Sequence, residues 1–547
     1  MNIFKPKIIT TLKDYSVKDM TSDLIAGLIV AIIALPLSIA LAIASGVEPE
    51  RGLYTAIFAG FVISLFGGSK VNISGPTAAF ATVVATINAT YGINGLVTAT
   101  ILAGVFLIIM GICKFGSLIK YIPYTITTGF TSAIAVTIVI GQLKDFFGLT
   151  FLPGNHIETL EKLSQVFKNI STINVEALLI GLVSLFILII SPKITKRIPG
   201  SLIAVLVGSF IVKFMNLNVN TIGDLYQISQ GMPTPSVPEI SFSGIKNLIS
   251  PAFTIAILAS IESLLSCVVS DQMIKDKHNS NTELIGQGLG NIASALFGGI
   301  PATGAIARTA ANVKNGGKTP IAGIVHAIVL LLILLVLMPY ANYIPMPVIA
   351  AILFMVAYNM SEWRKFVEIL KTAPKSDIIV LLVTFFLTVI FDIVGAIEIG
   401  MIVSAVLFIK RMADVTHIRP WTTGDEALSS DDGRLKTIPA HTEVYEIHGP
   451  MFFATSELFN EIPIKDGSKV VIIRMRNIPS LDVSALRSLE GAYKRFVKND
   501  IKVIFSHVNK QPLNVMKKSG FYDKVGKENF AKNIDIALSM AKEFCNK

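Results

Sequence analysis

From about residue 21 to Arg411 the chain alternates long apolar runs with short polar breaks. Many runs are close to the roughly 20 residues that a helix needs to cross a bilayer. Beyond Arg411 the rhythm changes: charges return, and short β-rich runs alternate with helical patterns. Fourteen crossings are expected, near 24–45, 52–67, 77–91, 96–112, 122–141, 173–191, 201–216, 250–270, 284–297, 304–313, 321–338, 346–358, 377–391 and 393–409. The third, ninth and tenth are short or broken. The division that follows is an N-terminal arm (1–20), a polytopic α-helical membrane domain (21–411), a linker (412–436) and a C-terminal α/β domain (437–547).

The loops test that count. After even-numbered segments come Lys70; Lys114 and Lys120; Lys193, Lys196 and Arg197; Lys275 and Lys277; Lys314 and Lys318; Arg364, Lys365, Lys371 and Lys375; then Lys410 and Arg411. Loops after odd segments are nearly uncharged or balanced. Such an excess of cations marks cytoplasmic loops, so a multi-pass protein of the cell (inner or plasma) membrane is expected, with both termini cytoplasmic.

Composition agrees: 52% of residues are hydrophobic and 15% charged, against about 25% charged in a soluble domain. The net charge of +10 sits in short clusters between apolar segments, with no basic stripe interleaved with aromatics, which argues against nucleic acid. Cys113, Cys267 and Cys545 are scattered and form neither a metal-ligand spacing nor a disulfide framework. A polar start followed by a full-length apolar run is not the pattern of a cleavable signal. The run from Asn312 to Thr319 resembles the end of a phosphate-binding loop, but Asn312 stands where its first glycine belongs and an apolar crossing follows, so ATP-driven chemistry is not expected.

The third segment opens with Asn72-Ile-Ser-Gly75-Pro76-Thr77-Ala78, and the tenth with Gly298-Gly-Ile-Pro301-Ala-Thr-Gly304-Ala305-Ile306-Ala-Arg308. In a chain of two seven-segment halves these are matching positions, and interrupted segments at matching positions point to a transporter's binding site. Amides in the first turn of a helix lack intrahelical partners and carry the positive end of its dipole. Two such ends meeting in mid-membrane favour a small anion, inorganic or carboxylate. Small residues at Thr77, Ala78, Gly304 and Ala305 would let it approach the backbone.

Glu262, central in the eighth segment, is a carboxylate where charge is costly, so it either faces a polar cavity and carries a proton or serves as a structural group. Arg308 can face the anion, face Glu262 or snorkel to the cytoplasm. Glu398, near Asp392, marks a helix break between the last crossings, and Gly286, Gly288 and Gly290 indicate close helix packing. In the tail, β-rich runs at 443–447, 470–474 and 501–505 alternate with helical stretches at 482–498, 511–519 and 531–544. Asp482 is placed to cap the first of these helices, and no catalytic cluster is visible.

These residues resemble the sulfate permease family of anion transporters over nearly the whole chain. The matching stretches are Gly52-Leu-Tyr54, Ser74-Gly-Pro-Thr-Ala78, Glu262-Ser-Leu-Leu265, Gly286-Gln-Gly-Leu-Gly-Asn291 and Ala307-Arg-Thr-Ala-Ala-Asn312. Asp482-Val-Ser484 resembles the Asp-x-Ser turn of the sulphate-transporter/anti-sigma-antagonist (STAS) domain, making Ser484 a regulatory candidate. The resemblance implies two inverted repeats of seven segments, arranged as core and gate domains, in a homodimer working by an elevator-like movement. It implies an anion site lined by Thr77, Ala78, Gly304, Ala305, Ile306 and Arg308. It also puts Glu262 where sodium-coupled bicarbonate members carry an aspartate. Pro36-Leu37 departs from the Pro-Gln common in sulfate members. The runs Ala259–Asn312 and Tyr358–Glu362 look closest to bacterial transporters of four-carbon dicarboxylates. The expectation is therefore proton-coupled uptake of a fumarate- or succinate-like anion with no further cofactor. Sodium-coupled bicarbonate transport, sulfate transport and an uncoupled exchanger or channel are the alternatives.

Overall fold

The computed structural model describes residues 4–117, 123–151, 158–194, 199–228, 231–236, 238, 242–390, 393–421 and 437–546. The chain folds as two compact units, Met1–Met401 and Ile402–Lys547.

Each of the fourteen expected segments contains a helix, although Thr77 at the start of the third and Gly304 and Ala305 at the start of the tenth are extended. Seven of the described helices are long and apolar enough to cross a membrane. Segment one is Val17–Ala44, started by Ser16, whose hydroxyl accepts from the Asp19 amide. Segment two runs through Pro49–Tyr54, Thr55–Ala59 and Gly60–Phe66. Segments three and four form one helical stretch, Ala81–Ile112, broken where Gly92 takes φ 67° and ψ −178°, a backbone state that glycine reaches without steric cost. Segments five to seven are Tyr124–Phe147, Val175–Ile194 and Gly200–Met215. In the second half, segments eight to fourteen are Phe242–Ile274, Ser280–Leu296, Ile306–Lys314, Pro320–Leu337, Met346–Ser361, Lys375–Ile390 and Ile393–Asp414. Glu398 lies inside the last of these and is exposed, so it marks no helix break; Asp392 lies outside the described residues.

Packing sorts the segments into two groups. Segments one to four pack chiefly with eight to eleven, and five to seven with twelve and thirteen. The first group is held by backbone-to-backbone approaches at small residues: a Cβ on Gly104 would lie 2.6 Å from the Gly288 carbonyl oxygen, and one on Gly288 would lie 2.5 Å from that of Gly104. Dispersion contacts at such distances are what associate helices in lipid, where no hydrophobic drive exists between them. On the other group, Phe186, Leu206, Phe210 and Phe214 are exposed, as a lipid-facing surface requires.

The second unit is built on a five-stranded sheet in the order β3-β4-β5-β6-β7, with β3 His417–Pro420, β4 Thr442–His448, β5 Val470–Asn477, β6 Lys502–Ser506 and β7 Phe530–Ala531. β3 is antiparallel to β4, and the other pairs are parallel. Val471 and Ile473 pack with Leu489 and Phe496 of helix Val483–Lys498, while Val470 and Ile472 pack with Ala537 and Leu538 of helix Ile534–Cys545. Both faces are covered, which is why β5 reads as a continuous apolar run. Asp482 caps its helix as expected, accepting from the Ala485 amide at 2.8 Å, with its second oxygen accepting from Phe453 N at 2.9 Å. The expected linker is structured at its start, where β3 joins the sheet; residues 422–436 lie outside the described residues.

Candidate functional site

The two broken segments meet through their backbones. β1 (Ser74–Gly75) and β2 (Thr303–Gly304) form an antiparallel ladder pairing Ser74 with Gly304 and Gly75 with Thr303, and Ala305 N extends it to the Ile73 carbonyl at 2.8 Å. Beyond the ladder each chain turns into a helix: a 3-10 turn at Ala78–Phe80 leads into Ala81–Ile112, and Ile306 starts the tenth segment. Neither start carries a side-chain cap. Phe80 N bonds back to the Thr77 carbonyl at 3.2 Å, and the positive dipole ends of the two helices lie at the crossing.

Five of the six residues expected to line the site are buried or half-buried around this crossing; Ile306 is exposed. The Thr77 hydroxyl donates to Glu262 Oε2 at 2.8 Å, and both residues are half-buried. A group from segment eight therefore touches the extended residue immediately before the third segment's helical part. Arg308 is buried and donates from Nη2 to the Pro76 carbonyl at 2.8 Å. It makes no ion pair with Glu262 among the described residues and does not snorkel. Its guanidinium therefore lies at the residue just before Thr77, at the start of the third segment. Gly304 is small for a reason the sequence did not give. A Cβ there would lie 2.6 Å from Asn72 Nδ2 and 3.1 Å from Ser263 Cα, so the residue is set by packing inside the crossing. Ser484 lies apart from this crossing in sequence and fold unit, exposed in the first turn of helix Val483–Lys498.

Sequence reasoning missed the groups that hold the crossing together. Glu283, buried in the first turn of segment nine, accepts five hydrogen bonds: Gly68 N at 2.8 Å, Ser69 N at 3.1 Å, Asn72 Nδ2 at 2.8 Å, Ser263 Oγ at 3.1 Å and Gln287 Nε2 at 3.0 Å. Hydrogen bonds to a charged acceptor are roughly twice as strong as neutral ones, and five of them offset much of the cost of burying a carboxylate. The Asn72 amide oxygen in turn accepts from Ser266 at 2.8 Å and Thr309 at 3.0 Å. Asn291 clasps the Ala302 backbone at both its N–H and its carbonyl, each at 2.9 Å. The readable signal was the spacing of Glu283, Gln287 and Asn291, a polar stripe with one residue per helical turn.

The crossing thus brings two uncapped helix starts, a buried guanidinium and a carboxylate together, and no cluster of three or more His, Cys, Asp or Glu that could hold a metal ion occurs among the described residues. The model of the sulfate permease family matches residues 20–406, and that of the STAS domain residues 435–537. The chain belongs to the sulfate permease family. That makes it a multi-pass membrane protein and a transporter, not an enzyme. It is 39% identical to "Putative sulfate transporter YvdB" of Bacillus subtilis (strain 168), over 95% of this chain and 97% of that one. It is 32% identical to "Bicarbonate transporter BicA" of Picosynechococcus sp., over 89% and 88%. The fold matches that of murine Solute Carrier 26 family member A9, an anion transporter solved in the inward-facing state, with a TM-score of 0.88 at 20% identity, covering 98% of this chain and 94% of that one.

Proposed function

We propose that this anion transporter carries out secondary active uptake of a small oxyanion, bound where the third and tenth segments meet and coupled to a cation through Glu262. The observation that carries the reading is the hydrogen bond between Thr77 and Glu262. A carboxylate bonded to the residue that opens the third helix makes the charge at the anion site depend on whether Glu262 holds a cation. Taking up a proton, or a sodium ion in its place, removes a negative charge from beside the incoming anion. At about 4 Å, two unit charges at an effective dielectric of about 20 repel by about 4 kcal/mol. Removing that repulsion is enough to couple two bindings.

Arg308 is the buried cationic side chain at the crossing, and its guanidinium is turned to Pro76. One fixed positive charge and two helix starts suit an anion with a single charged head. That supports sulfate or bicarbonate, the anions in the names of similar proteins. The second reading is a four-carbon dicarboxylate, favoured by the resemblance over Ala259–Asn312 and by Pro36-Leu37, which departs from sulfate members.

The remaining parts follow from the same reading. The two packing groups of segments act as core and gate, with the core carrying the anion in an elevator-like movement. The protein works as a homodimer in the plasma or inner membrane with both termini cytoplasmic, and residues 437–547 regulate it, with exposed Ser484 as the candidate for modification. The test is uptake of labelled sulfate, bicarbonate and fumarate into proteoliposomes under an imposed proton or sodium gradient. One labelled anion should accumulate above its external concentration only while the gradient lasts, and Glu262→Gln should lower gradient-driven uptake by about tenfold or more while exchange persists. Unchanged accumulation in Glu262→Gln would remove the coupling role.

A further inference from the structure

Two fully enclosed side chains behind the crossing have polar atoms with no partner. His326, on segment eleven, is 0% exposed, and neither of its ring nitrogens is hydrogen-bonded. Arg308 is 3% exposed, and its Nη1 is likewise unpartnered while Nη2 holds the Pro76 carbonyl. Both face the short strand β1 from the side of segment two. A Cβ on Gly75 would lie 2.6 Å from Arg308 Nη1 and 3.4 Å from Ala56 Cα. A Cβ on Gly60 would lie 3.1 Å from the Ser74 carbonyl oxygen and 3.9 Å from His326 Nδ1. Arg308 therefore lies against Gly75, and His326 lies against Gly60, which itself touches the carbonyl of the neighbouring Ser74.

Buried donors and acceptors in native proteins are almost always satisfied by protein or by ordered water. Enclosed polar sites hold such water, which makes about three hydrogen bonds of its own. Direct pairing is not what the side chains show, yet their chemistry is complementary. A guanidinium N–H donates only, and a neutral imidazole accepts at one nitrogen and donates at the other.

We propose that internal water bridges Arg308 Nη1 to His326, making His326 a positioning residue for the arginine whose charge serves the anion site. The water accepts from Nη1–H and donates to the unprotonated ring nitrogen, and the ring's N–H is turned toward the Ser74 carbonyl or a second water. Held at both nitrogens, the guanidinium keeps its plane and its distance from the start of the third helix. Released at Nη1, it can rotate about its bond to Pro76 and its field at the anion is no longer fixed. The inference rests on the reading of Arg308 as part of that site.

The experiment is a double-mutant cycle on the full chain in proteoliposomes, using whichever of labelled sulfate, bicarbonate or fumarate the wild type takes up. His326→Leu, which cannot bond to water, should raise KM by about tenfold with kcat changed less than about twofold. His326→Gln, which retains a donor and an acceptor, should restore KM to within about threefold. A histidine that only filled space would be rescued better by leucine than by glutamine. In an Arg308→Met background, His326→Leu should add less than about twofold, because the group it positions is gone. A wild-type KM for His326→Leu, no rescue by glutamine, or additive effects in the cycle would each overturn the proposal. A wild-type KM for Arg308→Met would overturn it together with the site reading, whereas a raised KM there beside an unaffected His326→Leu overturns the proposal alone. If His326→Leu does not purify as a monodisperse protein, a high-resolution density map of the wild type decides: ordered water within hydrogen-bond reach of Arg308 Nη1 and His326 supports the bridge, and a dry gap refutes it.

Discussion

Glu283→Gln is the most informative single change in the crossing, because it preserves shape and removes only charge and one acceptor. In the wild type, Oε2 accepts from Gly68 N and Ser69 N, and Oε1 accepts from Asn72, Ser263 and Gln287. An amide can keep one of these sets. The better choice leaves its oxygen facing the three side chains and turns its NH2 toward two backbone N–H groups, so two bonds to a charged acceptor are lost. Each is worth about 1.5–3 kcal/mol, which makes the cost about 3–6 kcal/mol, comparable with the 3–5 kcal/mol typical of breaking a buried charged network. Against a net stability of about 5–15 kcal/mol this is a large fraction. The loosened backbone at Gly68 and Ser69 leads directly into β1, so anion affinity should fall as well. The assay is thermal unfolding of the detergent-solubilised protein followed by size exclusion, paired with anion binding to the folded fraction. Glu283→Asp, which keeps the charge but shortens the reach, should fall between wild type and Glu283→Gln. A Glu283→Gln protein with wild-type melting and wild-type affinity would refute the idea that this carboxylate organises the site.

Ala305→Leu places a branched side chain at the start of the tenth segment and should abolish anion binding in a protein that remains monodisperse; unchanged affinity removes Ala305 from the site. Thr77→Val deletes the hydroxyl that Glu262 accepts from, at nearly constant volume, and should cost about 1 kcal/mol, about a fivefold change in the apparent affinity for the coupling cation. Truncation after Asp414 should alter transport rate or expression while leaving the ranking of competing anions intact, and a changed ranking would bring the tail into the site. Outside the membrane segments, Asp276 is bonded to Lys70 at 2.9 Å and Lys7 at 3.3 Å. Partial burial works against its charge, yet the two ammonium groups hold its carboxyl down at about 2. A carboxyl lowered on folding stabilises above its ordinary value of about 4 and loses that effect as pH falls toward 2. The clamp is therefore intact at neutral pH, and Asp276→Asn should speed tryptic cleavage of the N-terminal arm there, with high salt narrowing the difference.

The membrane segments were legible because twenty apolar residues in a row have few other uses, and the matched breaks because Gly-Pro cannot hide inside a helix. Asp482 was legible because a capping residue is a local device. The interior of the site was not. Expecting segment nine to begin at Leu284 put Glu283 just outside it, since a carboxylate reads as a helix boundary. The helix in fact starts at Ser280, and the charge is tolerated because four of its five partners arrive from elsewhere in the chain, Gly68, Ser69 and Asn72 between segments two and three and Ser263 in segment eight. Gly304 was legible as small but not for the right reason, because the neighbour that fills its space, Asn72, is far away in sequence. His326 raised no signal, since one neutral ring in an apolar run resembles any other core residue. β3 escaped because four exposed or half-exposed residues ending in proline form an edge strand too short to carry a pattern.

The ladder between β1 and β2 also bears on how the protein is made. Pro76 and the arginine that holds its carbonyl are 232 residues apart. At a synthesis rate of about 5–20 residues per second, the first break waits on the order of ten seconds or more for its partner to leave the ribosome. During that interval the open backbone of Ser74 and Gly75, and the amide of Asn72, belong to a half-built protein with nothing of its own to satisfy them in the bilayer, where each unpaired group costs several kcal/mol. The first half is therefore expected to hold segment three at the membrane surface, or against the insertion machinery, until the second half arrives. Ribosome-bound chains halted before and after Arg308 would differ in whether a cysteine placed at Ala78 is reached by a water-soluble thiol reagent.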